Sequence, residues 1–487
     1  MKNTKKIIAL ALTTIMSLAT LGFSACNNGG GAIDIPESET TAYKVSALGD
    51  VFPIASYVGP TSRYYSTYDQ CMVENLIRED VFKEISETGI NIICGHHESD
   101  EDTILMLQYC AKYNMTYLPR IDLADYARWD SKLNKIVNYD EYTEAEKKEV
   151  DDNFRAFLRK WKDYDGFGGI TAGDETGMLV TSGYKRMKEV FDEECPGMFF
   201  YLNMFGPGAD GTGWCDFNPF EVQANAAGLQ KDPNITWAKV METYSSYVNL
   251  DVMSFDYYLF TRSENMGTYL FNHINQMKQA LSEDKPIWYA VLNGEEHEMR
   301  GQSKEESYYQ MNAPLAVGVS GLLLYPGFSP IENGKYVQYN LYDRKTGQPT
   351  YYMDWYKSIF GQIHASEKVL MNAAYKGTIA TEGIGASNVA AENILTDFYR
   401  LKEVKSTYSQ IVVGCYTWKG HEVLWVFNNA TNINKKAQPN LIFNETLDCV
   451  LVKDGQQKVY QDKDNLRVFL NPGEAAMLVL GTDTLEL

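Results

Sequence analysis

The chain lacks paired cysteine spacings, a glycine fingerprint after its first strand, a second long apolar run, and enough cations to balance its anions. Each absence excludes something. Its eight cysteines include no C-x-x-C or zinc-type spacing, so no metal site is expected from them. Setting Cys26 aside leaves an odd seven (71, 94, 110, 195, 215, 415 and 449), a poor basis for a disulfide framework. Without Gly-x-Gly-x-x-Gly a dinucleotide fold has little support, and no cofactor is expected. Lys and Arg total 44 against 64 Asp and Glu, a formal charge of −20. That balance argues against nucleic acid, against electrostatic docking to anionic lipid, and against a strongly anionic polymer as substrate.

Aromatic residues are plentiful: 34 Tyr, 21 Phe and 8 Trp exceed what a core alone needs. Their flat apolar faces and polar tips suit stacking on sugar rings, although any single one serves equally well as core.

At the N-terminus, Lys2, Lys5 and Lys6 precede an apolar run from Ile7 to Leu21 and then Phe23-Ser-Ala-Cys26. This is the pattern of a secretory leader rather than a spanning helix, and no later segment is long and apolar enough to cross a bilayer. The stretch resembles a bacterial lipobox, with Phe23 where Leu is usual. The resemblance implies a leader over 1–26, lipidation of Cys26, a Gly-, Ser- and Glu-bearing tether over 27–44, and export to the bacterial cell surface.

From Val51 a unit recurs: short apolar strand, loop, amphipathic helix. Strands are predicted at Pro53–Val58, Ile90–Cys94, Tyr117–Ile121, Gly169–Ala172, Met198–Leu202, Val252–Phe255, Ile287–Leu292 and Leu322–Tyr325. Helices are predicted at Asp100–Tyr113, Thr143–Trp161 and Met266–Leu281, among others. Apolar runs without period-two alternation mark strands buried on both faces, and eight such units predict an α/β fold, a closed (β/α)8 barrel over 45–370. From 371 to 487 the segments become short and separated by turn pairs such as Asp454-Gly455 and Pro472-Gly473, which predicts an antiparallel β-sandwich.

In a barrel the chemistry sits at the C-terminal tips of the strands and in the loops that follow. Those positions hold His96 and His97, Arg120 and Asp122, Asp174 and Glu175, Asn203, Asp256 with Tyr257 and Tyr258, Asn293 with Glu295, Glu296 and His297, and Tyr325. Trp288 and Tyr289 in strand seven are further candidate substrate contacts. Hydrolysis of a glycosidic bond needs one protonated carboxyl and a second that attacks or activates water. Adjacent Asp174 and Glu175 raise each other's proton affinity if both face inward, but strand alternation predicts that only one does. Glu175 is therefore expected as the acid, with Asp174 in support, Asp256 as the second carboxylate and Glu295 in reserve. An Asp-Glu turn capping the next helix is the structural alternative. His96 and His97 point to opposite sides of a strand, so sugar hydroxyls suit them better than a shared metal. The glycine- and aromatic-rich stretch Phe205–Trp237 is predicted as a lid.

On Gly173-Asp174-Glu175, Tyr201-Leu-Asn203, Asp251-Val-Met-Ser-Phe-Asp256-Tyr, Lys285-Pro-Ile-Trp288 and the run to Tyr325, residues 50–370 resemble the barrel glycoside hydrolases of the retaining clan that includes β-galactosidases and cellulases. That resemblance implies an acid/base role for Glu175. It departs at two places: Asp174 stands where the clan has Asn, and Val291-Leu292-Asn293 where it ends strand seven on a Glu nucleophile. Met253-Ser-Phe-Asp256 also resembles an element of chitinase-like barrels, whose Asp-x-Glu spacing is absent here. The expected function is a monomeric, cofactor-free glycoside hydrolase on extracellular carbohydrate. The alternative is an inactive surface glycan-binding lipoprotein, motivated by Asn293.

Overall fold

The computed structural model describes residues 35–485 except 37–38, 41, 67–70, 97, 122, 208–234, 261–268, 282–284, 295–299, 326–340, 344, 384 and 390–393. Eight strands, β1 (Ile54–Ser56), β2 (Ile92–Cys94), β3 (Thr116–Leu118), β4 (Gly169–Asp174), β5 (Phe199–Met204), β6 (Met253–Asp256), β7 (Ile287–Leu292) and β8 (Gly321–Tyr325), alternate with eight helices. These are α1 (Glu79–Thr88), α2 (Asp100–Lys112), α3 (Glu144–Trp161), α4 (Thr181–Glu194), α5 (Trp237–Ser246), α6 (Leu270–Ala280), α7 (Lys304–Asn312) and α8 (Tyr351–His364). All eight strands pair in parallel, in the order β3-β2-β1-β8-β7-β6-β5-β4. The ring closes where Tyr117 N–H donates to Gly166 O (2.7 Å) and Thr171 N–H donates to Pro119 O (3.0 Å).

Local chemistry sets the boundaries. Thr143 caps α3: its hydroxyl accepts from Glu146 N–H (3.3 Å) and the Glu146 carboxylate accepts from Thr143 N–H (2.8 Å), satisfying two amides that the first helical turn leaves unpaired. Gly89, at φ 99°, ends α1 in the left-handed conformation that favours glycine.

Two apolar layers result. Ile54, Ile170, Met253, Phe255 and Val291 face the helices, whereas Ala55, Cys94, Leu118, Phe199, Tyr201, Trp288 and Leu323 fill the barrel. Tyr43, Val45 and Leu48 pack against the strand-start end of that interior; the Ser46 hydroxyl donates to Gly197 O, just before β5, at 2.6 Å. The indole of Trp288 lies so close to Gly321 that a Cβ there would sit 2.5 Å from the ring, so only glycine lets β8 pass.

The C-terminal module has seven antiparallel strands: β9 (Ala374–Ala380), β10 (Leu401–Lys405), β11 (Ile411–Trp418), β12 (His421–Asn428), β13 (Asn440–Lys453), β14 (Gln456–Arg467) and β15 (Ala475–Leu480). All are joined in one sheet, which curls over its own core of Val413, Cys415, Leu424, Val426, Cys449 and Leu478. Alternate residues, Val412, Tyr416, Val423, Trp425 and Met477, join the barrel's core instead. The seam is fixed by Trp425 Nε1–H donating to Asn312 O (3.1 Å) and by the Tyr416 hydroxyl donating to Leu315 O. Among the described residues no helix is long and apolar enough to cross a membrane.

Candidate active site

The site grows from an irregularity in β4. Thr171 pairs with Tyr201, Gly173 with Leu202 and Asp174 with Asn203, so Ala172 and Gly173 together oppose one residue. A regular strand would bring Gly173 opposite Asn203 and turn Asp174 toward the helices. The bulge resets the alternation and carries Asp174 inward. Gly173 is required there, because a Cβ would lie 2.2 Å from the Tyr184 hydroxyl on α4. Glu175 then turns at φ 44°, a left-handed conformation costing a non-glycine residue about 1 kcal/mol, while its N–H donates to Asn203 O at 2.9 Å.

Both carboxylates of β4 thereby approach Asp256 from β6. Met253 and Phe255 face the helices, so Ser254 and Asp256 face the interior. Asp256 is 7% exposed. Burial first, and the Asp174 charge second, push its pKa up to about 7, although it hydrogen-bonds with the Tyr258 hydroxyl and with Glu175. A hydrogen bond between two carboxyl groups needs a proton on one of them, and the raised pKa of Asp256 keeps one available there near neutral pH. Asp174 differs, because it accepts from Asn203 Nδ2–H at 3.1 Å. Glu175 and Asp174 are half-buried and so reachable from the mouth.

Aromatic side chains wall this sector. The Tyr258 and Tyr325 rings stack at 5.5 Å and 6°. Tyr57, from the tip of β1, lies 5.9 Å from Tyr325 and 6.0 Å from Tyr201. Its hydroxyl is buried without a hydrogen-bond partner among the described residues. Arg120 and Asp174 both act electrostatically on that hydroxyl and on the Cys94 thiol, which places Arg120 beside the carboxylates. Burial pushes the thiol up to about 12, so Cys94 is an inert wall residue rather than a nucleophile.

Asp174, Glu175, Asn203, Asp256, Arg120 and Tyr325 thus gather in one sector. His96 lines a cavity of about 220 Å³ between the β2 and β3 tips and α2 and α3, shared with Glu98, Arg120 and Lys160. Three placements correct the sequence reading. Trp288 is fully buried in the barrel interior, because it is the second residue of β7 and lies well below the rim. Tyr289 points the other way, into the helix-side core, with its hydroxyl donating to Tyr257 O. Tyr257 turns out as well, its ring 3.9 Å from that of His273 on α6; alternation gives the inward place to Tyr258. Asn293 is wholly buried, and neither atom of its amide finds a partner among the described residues. Cys26, His97, Asp122, Glu295, Glu296, His297 and most of the expected lid lie outside the described residues. Tyr57 escaped the sequence reading because the first strand was read as running to Val58, which put Tyr57 inside the strand, whereas β1 ends at Ser56; an aromatic closing an apolar run was a usable sign.

No family model matches the chain, and no curated protein matches it. Solved structures do. An Anoxybacillus alpha-amylase described as a new glycosyl hydrolase subclass matches with a TM-score of 0.51 at 11% identity, over 89% of this chain and 99% of that one. A glycoside hydrolase family 5 protein from Bacteroides vulgatus gives 0.49 at 9%, over 88% and 89% of the two chains. A GH27 β-L-arabinopyranosidase from Geobacillus stearothermophilus gives 0.46 at 11%, over 89% and 97%. The first of these likenesses establishes a shared fold, and the structural neighbours are glycoside hydrolases.

Proposed function

We propose that the chain is a glycoside hydrolase acting on an oligo- or polysaccharide at the strand-tip end of its barrel. The observation that carries this reading is the convergence of three carboxyl groups from two strand tips, with buried, proton-retaining Asp256 hydrogen-bonded to Glu175 and with Asp174 held apart by the Asn203 amide. Cleaving a glycosidic bond draws on both: a proton for the departing oxygen, and a negative charge beside the electron-poor sugar carbon or its attacking water. Glu175, half-buried at the rim, delivers the proton. Buried Asp256 keeps it there by sharing it. Asp174 supplies the anion. Tyr258, Tyr325 and Tyr57 offer ring faces and hydroxyls to the sugar.

The test is release of reducing ends by the purified protein across a panel of neutral polysaccharides and aryl glycosides, with turnover expected on at least one neutral glycan. Asn293, where the retaining clan ends its seventh strand on Glu, favours a second reading, capture of glycan without cleavage. Saturable binding on the same panel with no new reducing ends would establish that reading and sink the first.

The proposal includes export and anchoring through Cys26, supported by the lipobox-like Phe23-Ser-Ala-Cys26. In a bacterial host, Cys26→Ser is expected to abolish labelling by a fatty-acid probe and release the protein from the membrane fraction. Unchanged labelling in that variant would refute the anchor.

A further inference from the structure

Beneath Asp174 runs a line of polar side chains that reaches down into the otherwise apolar barrel. The Tyr201 hydroxyl lies 3.1 Å from Ser254 Oγ, Ser254 Oγ–H donates to Asn203 Oδ1 at 3.1 Å, and Asn203 Nδ2–H donates to Asp174 Oδ1 at 3.1 Å. Tyr201 is 1% exposed, Ser254 0% and Asn203 3%. Inside a barrel each of these groups costs free energy unless paired, so their presence asks for a reason.

The direction of the line supplies one. An amide has one accepting and one donating end. With Ser254, and more distantly the Tyr201 hydroxyl at 3.4 Å, presenting hydrogens to Asn203 Oδ1, the amide offers its donor to Asp174, and turning it over would set Oδ1 against the Asp174 carboxylate, acceptor against acceptor. Its Nδ2–H is therefore committed to Asp174. A committed donor favours an acceptor, and the ionised carboxylate is the better one.

Resting on the proposed hydrolase reading, we propose that Tyr201, Ser254 and Asn203 form a one-way donor line that locks Asp174 as the fixed anion of the mouth. The proton of the site is thereby confined to the Asp256–Glu175 pair. Ser254 and Tyr201 are positioning residues, acting on the reacting groups only through Asn203. The line divides two roles between carboxyl groups that sit close enough to exchange them.

Other groups lie around these carboxylates. Arg120, past the tip of β3, acts on the same Tyr57 hydroxyl and Cys94 thiol as Asp174 does, and Tyr57 and Cys94 are themselves uncharged neighbours. Asp256 and Tyr258 act on Asp174 from the β6 end, Tyr201 and Tyr258 lie around Asp256, and Tyr289 feels its charge from the helix side. The variants that test the line leave every one of these charges in place.

The experiment compares Tyr201→Phe, Ser254→Ala and Asn203→Leu in the full chain. If the line holds Asp174 ionised, cutting it lets Asp174 take a proton at higher pH. The acid limb of kcat/KM then moves upward, least for Tyr201→Phe and most for Asn203→Leu, by about one pH unit in the last case, a tenfold loss at the acid end. Activity at the optimum changes far less in Ser254→Ala, whose side chain does not reach the mouth. In parallel, Asp174 is titrated by NMR in protein carrying 13C-labelled aspartate carboxyls, with its signal assigned by loss in Asp174→Asn. An ordered upward shift is expected there too, whether or not any glycan is cleaved. Ordered NMR shifts without turnover would end the hydrolase reading and leave the donor line standing. Turnover with an unmoved acid limb and unmoved Asp174 signal in Ser254→Ala and Tyr201→Phe would end the donor line alone.

Discussion

Asp256→Asn is expected to lose about 10²–10³-fold of its turnover at pH 7, to recover part of it at lower pH, and to gain stability in alkaline solution. All three effects follow from one buried carboxyl. With Asp256 present, Glu175 shares a proton with a neighbour that has nowhere else to place it. An Asn at 256 removes the buried group whose raised proton affinity keeps a proton beside Glu175 near neutral pH. The basic limb of the rate profile therefore slides toward acid.

The stability sign needs care. Asp256 has an ordinary, unfolded pKa near 3.8 and a folded one raised to about 7. Between those values the folded state binds more protons than the unfolded state, so its stability falls as pH rises through that window. The Asn variant does not titrate. Its advantage over the parent is thus smallest near pH 4 and largest above pH 7, where it reaches roughly 1–3 kcal/mol once the lost interactions with Tyr258 and Glu175 are set against the relieved burial. Denaturant unfolding at pH 5 and pH 8 measures it. A variant less stable than the parent at pH 8 would show that Asp256 is not held against its charge.

Glu175→Gln is expected to lose about 10²–10⁴-fold of kcat at every pH, with substrate binding changed only a few-fold. Gln keeps the size, the hydrogen-bonding capacity and the left-handed turn at 175, but it cannot deliver a proton. The loss should depend on the leaving group. An aryl glycoside whose phenolate departs without protonation is spared, whereas an alkyl or sugar leaving group suffers in full. Equal losses on both would remove Glu175 from the proton path. The two variants are separable by acidification, which helps Asp256→Asn and does nothing for Glu175→Gln.

The repeating units that build the barrel are legible because each strand is a dense apolar run and each helix carries its own cap, as Thr143 and Glu146 do for α3. The Asp174-Glu175 tip is legible for the same reason: it closes such a run. What strict alternation obscures is the pairing of Ala172 and Gly173 against one residue of β5. A bulge is a register event between strands, and neither strand reports it alone. The rule that only one of two adjacent carboxylates faces inward fails here because the bulge re-aims Asp174 and the turn at Glu175 brings the next residue back. Applied to β6, the same rule succeeds, since it selects Tyr258 over Tyr257. Strand β14, Gln456–Arg467, also escapes recognition over most of its length. It pairs only with β13, and its largely charged, exposed residues carry no apolar pattern.

The polypeptide comes into the barrel through its floor, where Tyr43, Val45 and Leu48 lodge against Phe199 and Trp288. The strand-start end of the barrel is therefore stoppered by the chain's own leading segment, so approach to the three carboxyl groups is left to the strand-tip side.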